Sequence, residues 1–406
     1  MKILLATPEL GYRGTPRVVA CYARILGKDN EIAVWGYENG GDTAEKLNAE
    51  GFPVFIGANG EQSAKDFAPD IVNIHHSGVF SSKALEILKT FHSSGARCIE
   101  TNVFGCVAPE LFPYLDASIQ ISHWDLWQWR RLKGPLLPDI GAYCPNPVDT
   151  DSFKRVSEEE IALARKEWNI PDSAFIIGRA GKTDWRKLRL PLLKVLNEIE
   201  NAFFVSAKDY NGETPPEIES HPKARFIERM KSDAALCRFY SACTVCVSMS
   251  DIGESFGLVN AEAMSCGTPV IALSTPLWGN AQVEMIVHGR GGLLLARPKD
   301  LYHAILRLAQ NPDLAKQMSL ATRGLIESRY SFAATGKLLG EIFNSAYRSY
   351  NPHKGADDQS ANETHACIMS SLRRTDGKYP FGTIVAMRLR YSWAARIALN
   401  MIKRFL

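Results

Sequence analysis

Glu254 and Glu262 stand eight positions apart in the stretch ESFGLVNAEAMSCGTPV, with Gly257 between them and Gly-Thr-Pro at its close. The preceding run CTVCVSMS alternates as a buried strand does, so residues 253–257 form the turn at its carboxyl end. A helix is expected to open near Gly257 and to stop at Gly267, with Pro269 barring its continuation. Ligands of open α/β sheets collect beyond the carboxyl ends of the strands, where helix N-termini point. The N–H groups of Gly257, Leu258 and Val259 would cradle a diphosphate there, and Gly257 leaves room for its close approach. Glu262, about one turn inside the helix, would accept hydrogen bonds from the two hydroxyls of a ribose. Glu254, in the turn, would hold hydroxyls of the sugar on the far side of that diphosphate. Acids at a helix start are also stabilising by roughly 0.3–1 kcal/mol with no ligand at all, and the pair alone does not separate the two readings.

Positioning such a site takes a parallel sheet. The candidate strands KILLA (2–6), EIAVWGY (31–37), IVNIHH (71–76) and ARCIETNV (96–103) alternate with helical patterns such as PRVVACYARIL and SKALEILKTFHSSG. Repeated βα units of this kind predict a doubly wound parallel sheet. The pattern breaks at YCPNPVDTDSF (143–153) and restarts with FIIGRAG, AFFVSA, ARFIERM, CTVCVSMS and PVIALS. Two α/β domains are therefore expected, at 1–148 and 149–330, with a cleft at their joint. A terminal helix follows at 331–350, then a breaker-rich linker at 351–377, then a basic amphipathic helix at 378–406.

The chain has 406 residues, enough for two cores, and its formal charge of +3 carries no block of Lys/Arg that would suit nucleic acid. Nine cysteines are scattered without a framework. The only C-x-x-C, Cys243 and Cys246, falls inside an apolar run and reads as two buried thiols rather than a redox or zinc pair. With an apolar N-terminal run too short for a leader, this points to a cytoplasmic location. No metal-ligand cluster stands out, so neither a metal nor a cofactor is expected.

The last segment, KYPFGTIVAMRLRYSWAARIALNMIKRFL, carries six Lys/Arg and no acid. Ile384, Met387, Tyr391, Ala394, Ala398, Met401, Ile402 and Phe405 recur at three- and four-residue steps along one face. Such a helix suits an anionic membrane surface, the alternative being a terminal helix docked on its own protein or on a partner chain. Trp124 and Trp127, in SHWDLWQWRRL, pose a similar choice between stacking on a sugar and being buried as an i, i+3 pair.

The motif ESFGLVNAEAMSCGTPVIA resembles the donor-site signature of retaining, family 4 type GT-B glycosyltransferases, E-x-F-G-x-x-x-x-E-A-M-x-x-G-x-P-V. Glu254, Phe256, Gly257, Glu262, Ala263, Met264, Gly267, Pro269 and Val270 meet every fixed position. PNPVDTDSF is similar to the family's interdomain signature, with Pro147 in place of glycine. FIIGRAGKTDWRKL is similar to its phosphate-gripping segment, with Arg179 matching and Lys187, or the nearby Lys182, as the second cation. Gly14 matches the glycine turn before the first helix, and His76 matches the histidine that ends a D-V-V-H-x-H strand. The family's further N-domain histidine has no counterpart; Asn102 stands near its place.

The resemblance implies two Rossmann-like domains facing across a cleft and a hexose moved with retention from a UDP- or GDP-sugar. Glu254, His76, Arg179 and Lys187 would be catalytic, and Gly14, Phe256, Gly257, Leu258, Val259 and Glu262 would join them in donor binding. Asn102, Trp124 and Trp127 would lie on the acceptor side. The acceptor would be a glycan or lipid-linked hydroxyl at the cytoplasmic membrane face, in surface polysaccharide or lipopolysaccharide synthesis, with a second copy of the chain among the expected partners. Two rivals remain: a nucleotide-sugar epimerase or hydrolase of the same fold, and a non-catalytic sugar-nucleotide-binding scaffold.

Overall fold

The computed structural model describes residues 1–180, 185–207, 214–250, 252–348, 375 and 382–392. Contacts divide the chain into two units, one built on Met1–Pro147 and the other on Val148–Ser331.

The first unit is a seven-stranded sheet of β1 (Lys2–Glu9), β2 (Glu31–Asn39), β3 (Val54–Ile56), β4 (Ile71–His76), β5 (Arg97–Asn102), β6 (Ala117–Gln120) and β7 (Gly141–Tyr143). Its order is β3-β2-β1-β4-β5-β6-β7, and every pair is parallel. Ile3, Leu4, Leu5 and Ala6 of the central strand are fully buried, as a strand covered by helices on both faces must be. The helices are α1 (Gly14–Leu26), α2 (Asp42–Ala49), α3 (Glu61–Asp66), α4 (Ser82–Ser93) and α5 (His123–Lys133). Ser81 caps α4 and Ser122 caps α5, each accepting an N–H from the first turn. The short strands β3, β6 and β7 lack the length of apolar run that announces a strand in the sequence.

The second unit begins with α6 (Glu158–Glu167), opened by a reciprocal capping box between Ser157 and Glu160. Its elements continue as β8 (Phe175–Arg179), α7 (Trp185–Glu198), β9 (Ala202–Ala207), α8 (Pro216–Glu219), β10 (Ala224–Ile227), α9 (Asp233–Ala242), β11 (Val245–Ser248), α10 (Leu258–Ser265), β12 (Val270–Leu273), α11 (Gln282–Met285), β13 (Gly292–Leu295), α12 (Leu301–Gln310) and α13 (Pro312–Tyr330). The six strands are parallel in the order β10-β9-β8-β11-β12-β13. Ile177, Phe204, Val245, Ile271 and Leu293 form the middle of its core with Leu188 and Leu192 of α7. Cys243 and Cys246 are buried and unbridged, and a Cβ on Gly178 would sit 2.4 Å from the Cys243 sulfur. Glycine at that point of β8 is what lets the two thiols pack against the strand.

The helix α14 (Phe332–Tyr347) returns to the first unit, where Gly336 meets Ile25 of α1. A last described helix, α15, spans Thr383–Arg390. Apart from Thr375, the expected linker 351–377 lies outside the described residues, as do residues 378–381 and 393–406 of the expected C-terminal helix.

Candidate functional site

In the second unit β11 ends at Ser248 and α10 starts at Leu258, so residues 249–257 form the loop at the sheet's carboxyl edge. Gly257 is the N-cap at φ +87, a left-handed conformation that glycine adopts freely, and Gly267 beyond the helix has φ +78. The first intrahelical bonds run from Asn260 and Ala261 to the Gly257 carbonyl. Among the described residues the N–H groups of Leu258 and Val259 meet no acceptor, and both residues are half-buried or buried only in part. The helix tip therefore presents unbonded donors of the kind that holds an anion.

Glu254 is half-buried just ahead of that tip. Burial pushes its carboxyl above the ordinary glutamate range, while the Arg179 guanidinium pulls it back down. Arg179 ends β8, is 5% exposed, and donates from Nη1 to the Val247 carbonyl at 3.2 Å. The adjacent strands β8 and β11 thus deliver a buried cation to the loop that carries the acid. Lys187 lies in the first turn of α7 and is half-buried; Lys182 lies outside the described residues.

Glu262, one turn inside α10, is buried and bonded within the unit. It is 1% exposed, and its Oε2 accepts a hydrogen bond from the Tyr240 hydroxyl of α9 at 3.1 Å. The nearby Cys266 thiol is pushed well up, first by its hydrogen bond with Cys237 and by burial, with the Glu262 charge adding to both. Phe256, 4% exposed, stands edge-on to Tyr330 at 5.4 Å and packs inside the unit.

Sequence reasoning missed the brace behind Glu254. Gln282 Oε1 accepts the Glu254 N–H at 3.2 Å, and Ala281 donates to the Glu254 carbonyl at 2.9 Å. Gln282 in turn donates to Leu273, Thr275 and Asn280. A Cβ on Gly253, at φ +65, would fall 1.7 Å from the Gly279 carbonyl oxygen, so the two loops interlock through glycine backbone. The signal was present as the Gly and Asn of WGNAQVE, but the partner they brace is 28 residues away. Trp278, 46% exposed, tops the same bracing loop.

The first unit holds Gly14, His76, Asn102, Trp124 and Trp127. Gly14 opens α1, and a Cβ added there would meet no atom within 4 Å, so its neighbourhood is open space. His76 Nδ1 accepts the Gly78 N–H at 3.2 Å, which leaves Nε2 protonated and donating to Glu100 Oε2 at 2.6 Å. Both atoms of that pair belong to buried residues. Asn102 is also buried and donates to the Cys106 carbonyl at 2.8 Å. Trp124 and Trp127 are 0% and 9% exposed, which corrects the expectation that they face an acceptor. Their rings meet each other and Tyr391, because apolar surface on α5 is covered by the C-terminal segment.

His75, on the opposite face of β4, stacks edge-on with Tyr22 at 4.8 Å, and burial pushes its pKa down to about 3. The unfolded chain takes up a proton near pH ~6.5 that the folded chain refuses. Stability from this residue is complete above that pH and is lost as pH falls from about 6.5 towards 3. Between about pH 6.5 and 5 the loss should approach ~2 kcal/mol. His75→Phe should remove that part of the slope, as chemical denaturation at the two pH values will show.

The parallel sheet of the second unit thus brings a buried arginine, a half-buried acid and an open helix tip to its carboxyl edge. Residues 177–311 match the family model described as Glycosyl transferases group 1. Anabaena Alr3699/HepE, crystallised in complex with UDP and glucose, superposes with a TM-score of 0.70 at 16% identity, covering 85% of this chain and 100% of that one. That likeness shows the fold: two Rossmann-like domains of the GT-B type.

D-inositol 3-phosphate glycosyltransferase of Streptomyces bingchenggensis (strain BCW-1) is 32% identical over 117 residues, 28% of this chain and 24% of the relative. Alpha-galactosylglucosyldiacylglycerol synthase of Streptococcus pneumoniae (strain ATCC BAA-255 / R6) is 23% identical over 190 residues, 43% of this chain and 47% of the relative. The match to the first of these relatives spans about a quarter of its length.

Proposed function

We propose that the protein is a retaining, metal-independent glycosyltransferase that moves a hexose from a nucleoside diphosphate sugar to a hydroxyl of a glycan or lipid-linked acceptor. The observation that carries this reading is the buried Arg179 at the carboxyl end of β8, with Glu254 just ahead of the unbonded N–H groups of Leu258 and Val259. The helix tip and Arg179 would hold the diphosphate, with Lys187 as a second cation offsetting charge as the glycosidic bond breaks. Glu254 would hold hydroxyls of the transferred sugar. Glu262 would bind the ribose with its carboxylate oriented by Tyr240. The departing phosphate would itself help to take the acceptor proton, so the two acids position the donor and do not attack it. A lipid-linked or surface-polysaccharide acceptor agrees with the glycolipid synthase among the relatives and with the basic C-terminal segment.

A donor panel read by thermal melting tests the binding half. The correct nucleoside diphosphate at about 100 times its Kd should stabilise the chain by ~2.7 kcal/mol, and the wrong base should do little. Incubation with radiolabelled donors and membrane lipid extract tests transfer. Labelled glycolipid is the expected product; free sugar or an epimer would point to the hydrolase or epimerase, and binding without turnover to the scaffold. A chain whose melting moves with no nucleotide sugar would end the proposal.

A further inference from the structure

Tyr391, on the apolar face that the C-terminal segment would lay on a bilayer, packs on α5. Met387 and Tyr391, one helical turn apart, are 1% and 3% exposed. The Tyr391 ring stands edge-on to Trp127 at 5.3 Å and to Trp124 at 6.1 Å, and the two indoles lie 5.2 Å from each other. Trp124 and Arg390 both hydrogen-bond the Tyr391 hydroxyl. Arg131 Nε donates to the Tyr391 carbonyl at 3.0 Å, and its guanidinium lies over the Trp127 ring at 5.3 Å. Leu389 of the same helix, by contrast, is 61% exposed.

We propose that α5 and an anionic membrane surface compete for the Met387–Tyr391 face, so that membrane binding lifts this segment from α5 and uncovers Trp124 and Trp127. The occupant is set by charge: residues 378–406 hold six Lys/Arg and no acid, and α5 ends with Arg130, Arg131 and Lys133. An anionic bilayer attracts such a segment, and its interface accepts Tyr and Met together with the basic flank. One stripe of side chains buries itself against one surface at a time. The two occupants therefore exclude each other, and weakening one strengthens the other by the same factor. Once uncovered, the indole pair faces water. The proposal rests on the reading of the basic segment as membrane-directed, and vesicle binding tests it without any appeal to glycosyl transfer.

The test uses the full chain and two sets of vesicles, one of phosphatidylglycerol with phosphatidylcholine and one of phosphatidylcholine alone. Co-sedimentation should be seen with the anionic set only. Arg131→Ala removes one hydrogen bond and one cation–π contact from the docked state, and should raise affinity for anionic vesicles about fivefold. Deleting an exposed cation that touched the bilayer would instead lower it, so the sign decides. Trp127→Phe, which keeps the core filled, should act in the same direction more weakly. Anionic vesicles should also raise acrylamide quenching of tryptophan emission in the parent chain, and do so much less in a Trp124→Phe/Trp127→Phe variant. Unchanged or reduced affinity in Arg131→Ala, vesicle binding with no change in quenching, or no preference for anionic lipid would each overturn the proposal.

Discussion

Arg179→Ala is expected to lower the rate of sugar transfer by about 10²–10³-fold while the chain keeps its fold. Arg179 ends β8 at the sheet's carboxyl edge, where its guanidinium holds a backbone bond to Val247. Its charge also acts on Glu254, whose carboxyl rises with burial and is restrained by the guanidinium. Removing the cation should therefore act twice: it deprives a diphosphate of a charge partner, and it lets Glu254 hold its proton to a higher pH. The acid limb of the rate profile should shift upward in Arg179→Ala, in the direction that a lost opposite charge dictates. Arg179→Lys should restore part of the rate, because an ammonium supplies charge without the planar fork. Steady-state kinetics over a pH series, with thermal melting as the fold control, checks this. A variant that keeps full turnover would remove Arg179 from the phosphate site. One that loses turnover only in step with stability would make it a strut between β8 and β11.

The helix start at Gly257 was legible because its physics is local. Gly257, Glu254 and Glu262 fall within nine consecutive residues, and the chemistry of a helix start needs nothing from elsewhere in the chain. The expected helix, from Gly257 to Gly267, is α10 with its left-handed glycines at either end. What lay beyond reading was every feature made by partners distant in sequence. The hydroxyl that orients Glu262 comes from Tyr240 on another helix. The brace behind Glu254 comes from Gln282. Trp124 and Trp127 could not be sorted between surface and core, since the side chain that covers them, Tyr391, lies near the other end of the chain. The amphipathic stripe of the C-terminal segment shows that some surface covers it, and carries no information on which.

His76→Ala is expected to destabilise the first unit by about 3–5 kcal/mol. The sequence pattern offered His76 as a catalytic group, but the structure uses both ring nitrogens in a buried network. Nδ1 accepts from Gly78, and Nε2–H donates to Glu100. Glu100 also accepts from the Ser118 hydroxyl and, at 3.5 Å, from the Asn102 amide. Three donors around one acceptor-only group describe an ionised carboxylate held inside the protein, and removing the closer of the two nitrogen donors leaves that charge under-compensated. Gly78 is locked to the same network: at φ +73 its Cβ position falls 2.2 Å from Asn102 Oδ1, so no other residue fits the turn. The double variant His76→Leu/Glu100→Leu should therefore be more stable than His76→Ala alone, since it removes the stranded charge with its partner. Chemical denaturation of the three chains measures this. If His76→Ala melts like the parent and loses only turnover, the histidine acts on substrate and the network is incidental; if stability falls and the double variant recovers it, His76 is the clamp that holds the β4 loop in place.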